Sequence, residues 1–448
     1  MSVSSLPARA EESALAEPAP PDVTLRRVFW LWLPLAISFV MMTLEAPSLQ
    51  SAIGRLADPE LNLAGWGLTI GLSLLVESPV IMLLATTIAL VDGEPAYRLL
   101  RRLTLLLCVA CTAVTALLAY VTPVYDFVTI NLMHQPLNIR VAARPGLEIM
   151  LLWSAAIGWR RFCQGVIVRH GRARLVTWGT CIRLSSVLVT AIVLVRGGWL
   201  TGVETASCAL MAGVLVEALV SWAFASPVVR DAVLPKTTST ALTLASVWRF
   251  HAPLAATTLL TLMVEPLNAA ALGLLPHPHE TLAAWPVAFI TIFVIRGWGF
   301  ALQEVTVALA TQPGARQPLA RFALIIGLIT SGVAALMAWS RLLDLYLIDV
   351  LHTPAQLLPL VRVAVAICVV QPLATALGAW ARGSLMAAGA TSEVYKGMGC
   401  SLAAQILLLC ITVPLGLPGM QVAATASCGA TVVELVYLYW RARVRAAL

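Results

Sequence analysis

The sequence predicts an all-α polytopic membrane protein of twelve transmembrane helices, arranged as two parallel six-helix repeats. Three observations carry this. Hydrophobic residues make up 60% of the 448-residue chain and charged residues 11%, where soluble domains carry about 25% charged residues. Runs of roughly 20 apolar residues, each long enough to span a bilayer, recur along the chain. The chain also repeats itself at an offset of 217 to 220 residues. Thr-Ala-Ser-Cys stands at 205–208 and again at 425–428, followed by Glu217 and Glu434 and then by Trp222 and Trp440. Pro34-Leu35-Ala36 returns as Pro253-Leu254-Ala255, Leu63-Ala64-Gly65-Trp66 as Leu282-Ala283-Ala284-Trp285, and His134 with Pro136 as His352 with Pro354. Thr87, Ala89 and Leu90 return as Thr306, Ala308 and Leu309. A duplicated membrane bundle commonly builds its working site where the halves meet.

The elements follow in order. Residues 1–24 are rich in Ala, Glu, Pro and Ser, and read as a disordered tail. They lack the basic start and apolar run of a signal peptide, so cleavage is not expected. The first bundle, 25–226, holds spans at 27–53, 62–90, 100–122, 145–168, 175–195 and 204–226. Segment 227–247, with Pro235, Lys236 and a Thr/Ser cluster, reads as a cytoplasmic linker. The second bundle, 248–441, holds spans at 248–274, 282–310, 318–340, 358–389, 392–414 and 420–441. The span at 358–389 is the longest and has Pro372 as a kink point; 442–448 form a short tail. Six spans per half give both halves the same orientation, so the repeat axis runs along the membrane normal.

Loop charge sets the orientation. With both termini cytoplasmic, inner segments and span ends carry 18 Lys and Arg against six outside, a positive-inside bias. The net charge of +7 is therefore an orientation signal. Nucleic-acid binding would need basic residues clustered on a soluble face, and the chain has no soluble domain to hold one. All nine cysteines fall within the spans, which implies packing residues, with neither a disulfide framework nor a zinc site. No phosphate-binding GxxxxGK[ST] loop is present, and His279-Glu280 lacks the second histidine of a zinc-protease helix. His277 and His279, beside prolines in a short outer loop, read as a solvated turn, and His251 as an interfacial packing residue. No enzyme chemistry, cofactor or metal is expected, and nothing implies more than a monomer.

Ionisable groups inside spans are costly and mark pathways or partnered bridges. One layer lies on the cytoplasmic side: Arg160, Arg161 and Gln164 in the fourth span, Arg183 in the fifth, Arg382 in the tenth, with Glu217 and Glu434. Two readings compete there. Snorkelling with salt bridges pairs Glu434 with Arg382 and Glu217 with one arginine. Alternatively, three arginines against one glutamate leave a surplus that attracts an anion, and arginine suits forked binding of carboxylate or phosphate. A second layer sits at the midplane, where Glu77 and Arg296 occupy one repeat position with opposite charge; they either pair across the halves or are satisfied within their own bundles. A third layer is formed by Glu45-Ala46-Pro47 and Glu265-Pro266, which either bind a coupling cation at a broken helix or simply kink it. Glu304 joins Glu45, Glu77 and Glu265 as a candidate for gating or ion coupling.

Two six-helix halves, with Gln164-Gly165-Val166-Ile167 and Gly171 matching Arg382-Gly383-Ser384-Leu385 and Gly389, resemble the multidrug and toxic compound extrusion (MATE) proteins and their wider flippase (MOP) superfamily. The chain is also similar to the progressive ankylosis protein family. The stretches that carry this are Pro34-Leu35-Ala36-Ile37, Gly67 to Leu72 through Ser78-Pro79, Ile130 to His134, Gly297-Trp298 with Glu304, and Glu434 to Trp440. That resemblance implies export of small polyanions such as citrate, nucleotides or pyrophosphate, although the chain lacks the family's long charged C-terminal tail. The expectation is a secondary transporter of the inner or plasma membrane exporting a small organic or phosphate-bearing anion by alternating access. Arg160, Arg161, Gln164, Arg183, Arg296 and Arg382 are its candidate ligands, with a proton or sodium as possible coupling ion. The alternatives are a MATE-type proton- or sodium-coupled cation or drug antiporter, a flippase for a lipid-linked anion, and a non-transporting scaffold.

Overall fold

The computed structural model describes residues 23–172, 174–237 and 242–445, in which all regular structure is helical. Among these residues eleven helices are long and apolar enough to cross a membrane, twelve if a pair bent by 44° is one span. In order they are α1 (Leu25–Gly54), α2 (Pro59–Leu90), α3 (Glu94–Tyr120), α4 (the bent pair Leu137–Ile149 and Trp153–Arg169), α5 (Arg174–Gly197) and α6 (Gly202–Val233). The second half repeats them as α7 (Leu244–Gly273), α8 (Pro278–Leu309), α9 (Arg316–Trp339), α10 (Ala355–Ala387), α11 (Thr391–Thr412) and α12 (Gly419–Val444). The linker is shorter than its composition suggested. Helix α6 continues to Val233, and α7 starts at Leu244, capped by the Thr243 hydroxyl. The last helix likewise runs on to Val444. Residues 1–22, 238–241 and 446–448, which belong to the expected tails and linker, lie outside the described residues.

The two Glu-Pro motifs break their helices where proline chemistry requires. A proline lacks an N–H and its ring clashes with the carbonyl four residues back. Pro47 and Pro266 point to residues 43 and 262, and the inner segments of α1 and α7 end at Thr43 and Leu262. At these breaks both helices change partners; inner and outer are named here by the loop-charge orientation. The outer segment of α1 packs on α5 and α6 of its own half, while its inner segment packs on α8 and α9 of the other. Helix α7 does the same in part, with its outer segment on α11 and α12 and its inner segment chiefly on α2, with α11 and α3 beside it. The exchange is clasped twice, at equivalent positions. The Trp32 indole donates to the Trp298 carbonyl at 3.0 Å, and His251 Nε2 lies 2.8 Å from the Pro79 carbonyl. His251 is thus a buried bridging residue, with Nδ1 2.9 Å from the Thr86 hydroxyl. The interfacial packing role expected for it understates these contacts.

The outer side is sealed by reciprocal contacts between the halves. A Cβ on Gly54 would lie 2.5 Å from the carbonyl oxygens of Leu351 and His352, and one on Gly273 would lie 2.6–2.7 Å from those of His134 and Met133. Only glycine permits so close a backbone approach. The Ser51 hydroxyl donates to the Val350 carbonyl at 2.6 Å, Gln135 Nε2 to Ala269 at 3.0 Å, and Gln50 Nε2 to Pro286 at 2.9 Å. His134 and His352 take left-handed φ values of 52° and 55°, and Asp58 and His277, before Pro59 and Pro278, take 48° and 57°. Helices α2 and α8 meet at equivalent positions near this seal, where a Cβ on Gly67 would sit 2.7 Å from the Pro286 side chain. One turn deeper, a Cβ on Gly71 would meet nothing within 4 Å. The two helices therefore separate below the seal, and the space between the halves begins there.

Candidate functional site

In the first half the charged side chains form one network around Glu217, which is 1% exposed. Its carboxylate accepts a short hydrogen bond from Arg160 and a bridge from Arg183 Nε at 3.2 Å, plus bonds from Gln164 at 3.2 Å and the Thr180 hydroxyl at 3.3 Å. Arg183 also reaches Glu45 at 2.8 Å. This placement corrects two expectations. Glu45 does not belong to a separate outer layer, because the helix break turns α1 so that its carboxylate faces α5. Glu77 is buried and feels Arg160, Arg161 and Arg183 as its charged neighbours. Three arginines therefore face three carboxylates, and the expected cationic surplus disappears. What survives is a difference in pairing. Among the described residues Arg161 has no ion pair within 4 Å and no hydrogen bond, and its Nε is buried without a partner. Glu77 Oε2 and Glu45 Oε1 are buried acceptors without donors.

The second half is sparser. Arg382 bridges Glu434 at 3.4 Å, as the salt-bridge reading anticipated. Among the described residues no carboxylate lies within ion-pair distance of Arg296. Its Nε donates to the Thr375 hydroxyl at 2.8 Å, and its guanidinium lies 5.8 Å from the centre of the Phe300 ring. No hydrogen bond among the described residues uses its terminal nitrogens. Glu265 accepts from the Trp285 indole at 2.9 Å, leaving Oε1 without a partner. Beside it Asn268 and Gln405, both fully buried, are bonded to each other at 2.6 Å, and Asn268 donates to Ser427 at 3.1 Å. Glu304 is exposed and makes no ion pair among the described residues, so it belongs to no buried site.

Glu77 and Arg296 do not meet in this conformation; each is surrounded by groups of its own half. Helix geometry gives the reason. Each lies ten residues inward of the contact between Gly67 and Pro286. Ten residues make about 2.8 turns, so both side chains point roughly 80° away from the facing direction and about 15 Å deeper. Equal depth on two symmetric helices placed them at one level but on different faces.

Sequence reading passed over Asn268, Gln405 and Thr375, whose uncharged side chains carry no signal against a polar-poor background. It also passed over Glu393, a buried carboxylate bonded by Arg441 at 2.8 Å, Tyr437 at 2.9 Å and Lys396 at 3.2 Å, which staples the inner ends of α11 and α12. Its i,i+3 spacing from Lys396 was the available clue. Among the described residues no group of three or more His, Cys, Asp or Glu could hold a metal ion.

No protein-family model and no curated protein matches the sequence. Solved structures do match over nearly the full length. A multidrug resistance MATE family transporter of the MOP superfamily, in an inward-facing conformation, aligns with a TM-score of 0.70 at 14% identity, covering 93% of this chain and 98% of that one. The lipid II flippase MurJ, inward closed, gives 0.67 at 10% identity, over 92% and 87%. A MOP superfamily transporter from Pyrococcus furiosus Vc1 (DSM3638), described as having a binding pocket of reverse polarity that suggests a different function, gives 0.59 at 16% identity, over 96% and 99%. The fold is that of the MATE transporters.

Proposed function

We propose that the protein is a secondary transporter exporting a small organic or phosphate-bearing anion by alternating access, of the citrate, nucleotide or pyrophosphate class that the ankylosis resemblance implies. The observation that supports this most is the unpaired state of Arg161 and Arg296. A guanidinium keeps its charge at any physiological pH, and one inside a membrane span without an ion pair is costly. An anion between the halves that reaches Arg296 relieves that cost there. Arg296 offers terminal nitrogens without partners, the donor set that suits a carboxylate or phosphate. The remaining candidates serve differently: Arg160, Gln164 and Arg183 hold Glu217, and Arg382 holds Glu434. The carboxylates that a cationic drug would need are in part taken, since Glu45 and Glu217 already carry guanidinium partners.

Among the described residues Glu77 and Glu265 also make no ion pair. A carboxylate, unlike a guanidinium, is neutralised by one proton, so these two are the sites for a coupling proton or sodium. The protein then sits as a monomer in the inner or plasma membrane, with both termini cytoplasmic. The fold shared with the lipid II flippase favours a second reading, in which the anion is lipid-linked. Flux in proteoliposomes separates the readings. Labelled citrate, pyrophosphate or a nucleotide should move, whereas ethidium should not. Ethidium flux alone would support the drug antiporter, movement of only a lipid-linked anion the flippase, and no flux of any kind the scaffold.

A further inference from the structure

The walls of the space between the halves differ in a way that duplication does not explain. On α8, Phe289, Phe293 and Phe300 point within roughly 60° of the direction of Pro286, at 100° per residue, and so toward the other half. Phe289 and Phe293 stack with ring centres 5.8 Å apart and planes 20° apart, and Phe293 lies 5.5 Å from Phe300. Phe39 of the crossing helix α1 extends the row, 6.4 Å from Phe300. All four rings are only half buried. The equivalent positions of α2 hold Ile70, Leu74 and Ile81, and between the first two stands Gly71, facing open space. One wall is thus an aromatic ladder and the other is aliphatic with a gap. Arg296 sits at the side of the ladder, its guanidinium over Phe300 and its terminal nitrogens without partners.

We infer that this site takes an anion bearing a flat aromatic ring. The ring lies on the Phe289–Phe293 face with Gly71 leaving room opposite, and the carboxylate or phosphate reaches Arg296. The inference rests on the anion reading above and narrows it. Aromatic packing has a preferred offset or edge geometry that a saturated ring cannot reproduce, so a ladder discriminates between rings of equal size. A plain apolar lining would need no row of stacked rings beside a free guanidinium.

Three phosphates test this on the purified full-length protein by calorimetry: phenyl phosphate, cyclohexyl phosphate and methyl phosphate. Phenyl phosphate should bind about two- to tenfold tighter than cyclohexyl phosphate, the span expected of aromatic pairing. Phe289→Ile and Phe293→Leu, which install the residues the other half carries, should bring that ratio toward one. Phe293→Tyr keeps the ring and should keep the ratio, which guards against a folding artefact. Equal binding of the two ring phosphates, or a preference that survives both aliphatic substitutions, overturns the inference while methyl phosphate binding leaves the anion reading standing. Failure of all three phosphates to bind overturns the anion reading itself.

Discussion

The two halves place their buried charges on one scaffold and finish them differently. In the first half, Glu217 is gripped by Arg160, Arg183, Gln164 and Thr180, and Arg183 ties Glu45 to the same network. In the second, one 3.4 Å bridge joins Arg382 to Glu434, and Arg296 has a hydroxyl and a ring for company. The repeat position of Gln164 is held by Arg382, and that of Glu77 by Arg296. A duplicated fold can thus bind most of one copy of a charged layer into a network, Arg161 excepted, and finish the other sparsely. On the proposed function the locked copy is structural, and the open copy is where the anion binds.

The largest effect should come from breaking the locked copy. Glu217→Ala leaves Arg160 and Arg183 buried around a missing carboxylate, a loss of about 3–5 kcal/mol. Glu434→Ala removes one half-open bridge and should cost about 1 kcal/mol or less. Thermal unfolding in detergent compares them, and equal losses would remove the distinction between the halves. Next comes the open copy. Arg296→Gln should leave unfolding nearly unchanged but weaken anion binding about ten- to a hundredfold, the range for charged hydrogen bonds of 1.5–3 kcal/mol. Calorimetry reads this directly, and unaltered affinity would take Arg296 out of the site.

A smaller effect is expected where the halves are truly alike. Gly54→Ala and Gly273→Ala each push a methyl group into carbonyls of the opposite half, overpacking that costs about 1–3 kcal/mol of the outside-closed state. Labelling of an outer-gate cysteine should rise in both variants by similar factors; a response confined to one would break the symmetry of the seal. The smallest effect is that between Glu77 and Arg296. With their side chains on different helix faces, charge reversals Glu77→Arg and Arg296→Glu should show coupling below about 0.5 kcal/mol in a double-mutant cycle of stability. Strong mutual rescue would mean that a second conformation brings them together.

The repeat, the span count and the Glu-Pro breaks were all legible in the sequence, because each rests on spacing or on proline. The consequences of the breaks were not. That α1 and α7 exchange partners at residues 43 and 262 depends on tertiary packing, and this moved Glu45 into the layer of Arg183. Charge and depth singled out Arg160, Arg161, Arg183, Arg296 and Arg382 as candidates. Deciding which were already paired needed the helix faces, as the case of Glu77 and Arg296 shows. Neutral partners such as Thr180 and Thr375 leave no trace in an apolar sequence, although they fix where the guanidinium groups point. The aromatic row of α8 was readable as three phenylalanines, but its contrast with Ile70, Leu74 and Ile81 acquires meaning only once the two walls face one another.

The central claim is that Arg296, in the open copy, is the residue that answers to the transported anion. Counterflow of a labelled anion in proteoliposomes tests it most directly, comparing the wild-type protein with Arg296→Gln at matched thermal stability. The prediction is flux of the anion by the wild type, none of ethidium, and loss of anion flux in the variant. Undiminished anion flux through Arg296→Gln, or a wild-type protein that moves ethidium and leaves anions behind, would contradict it.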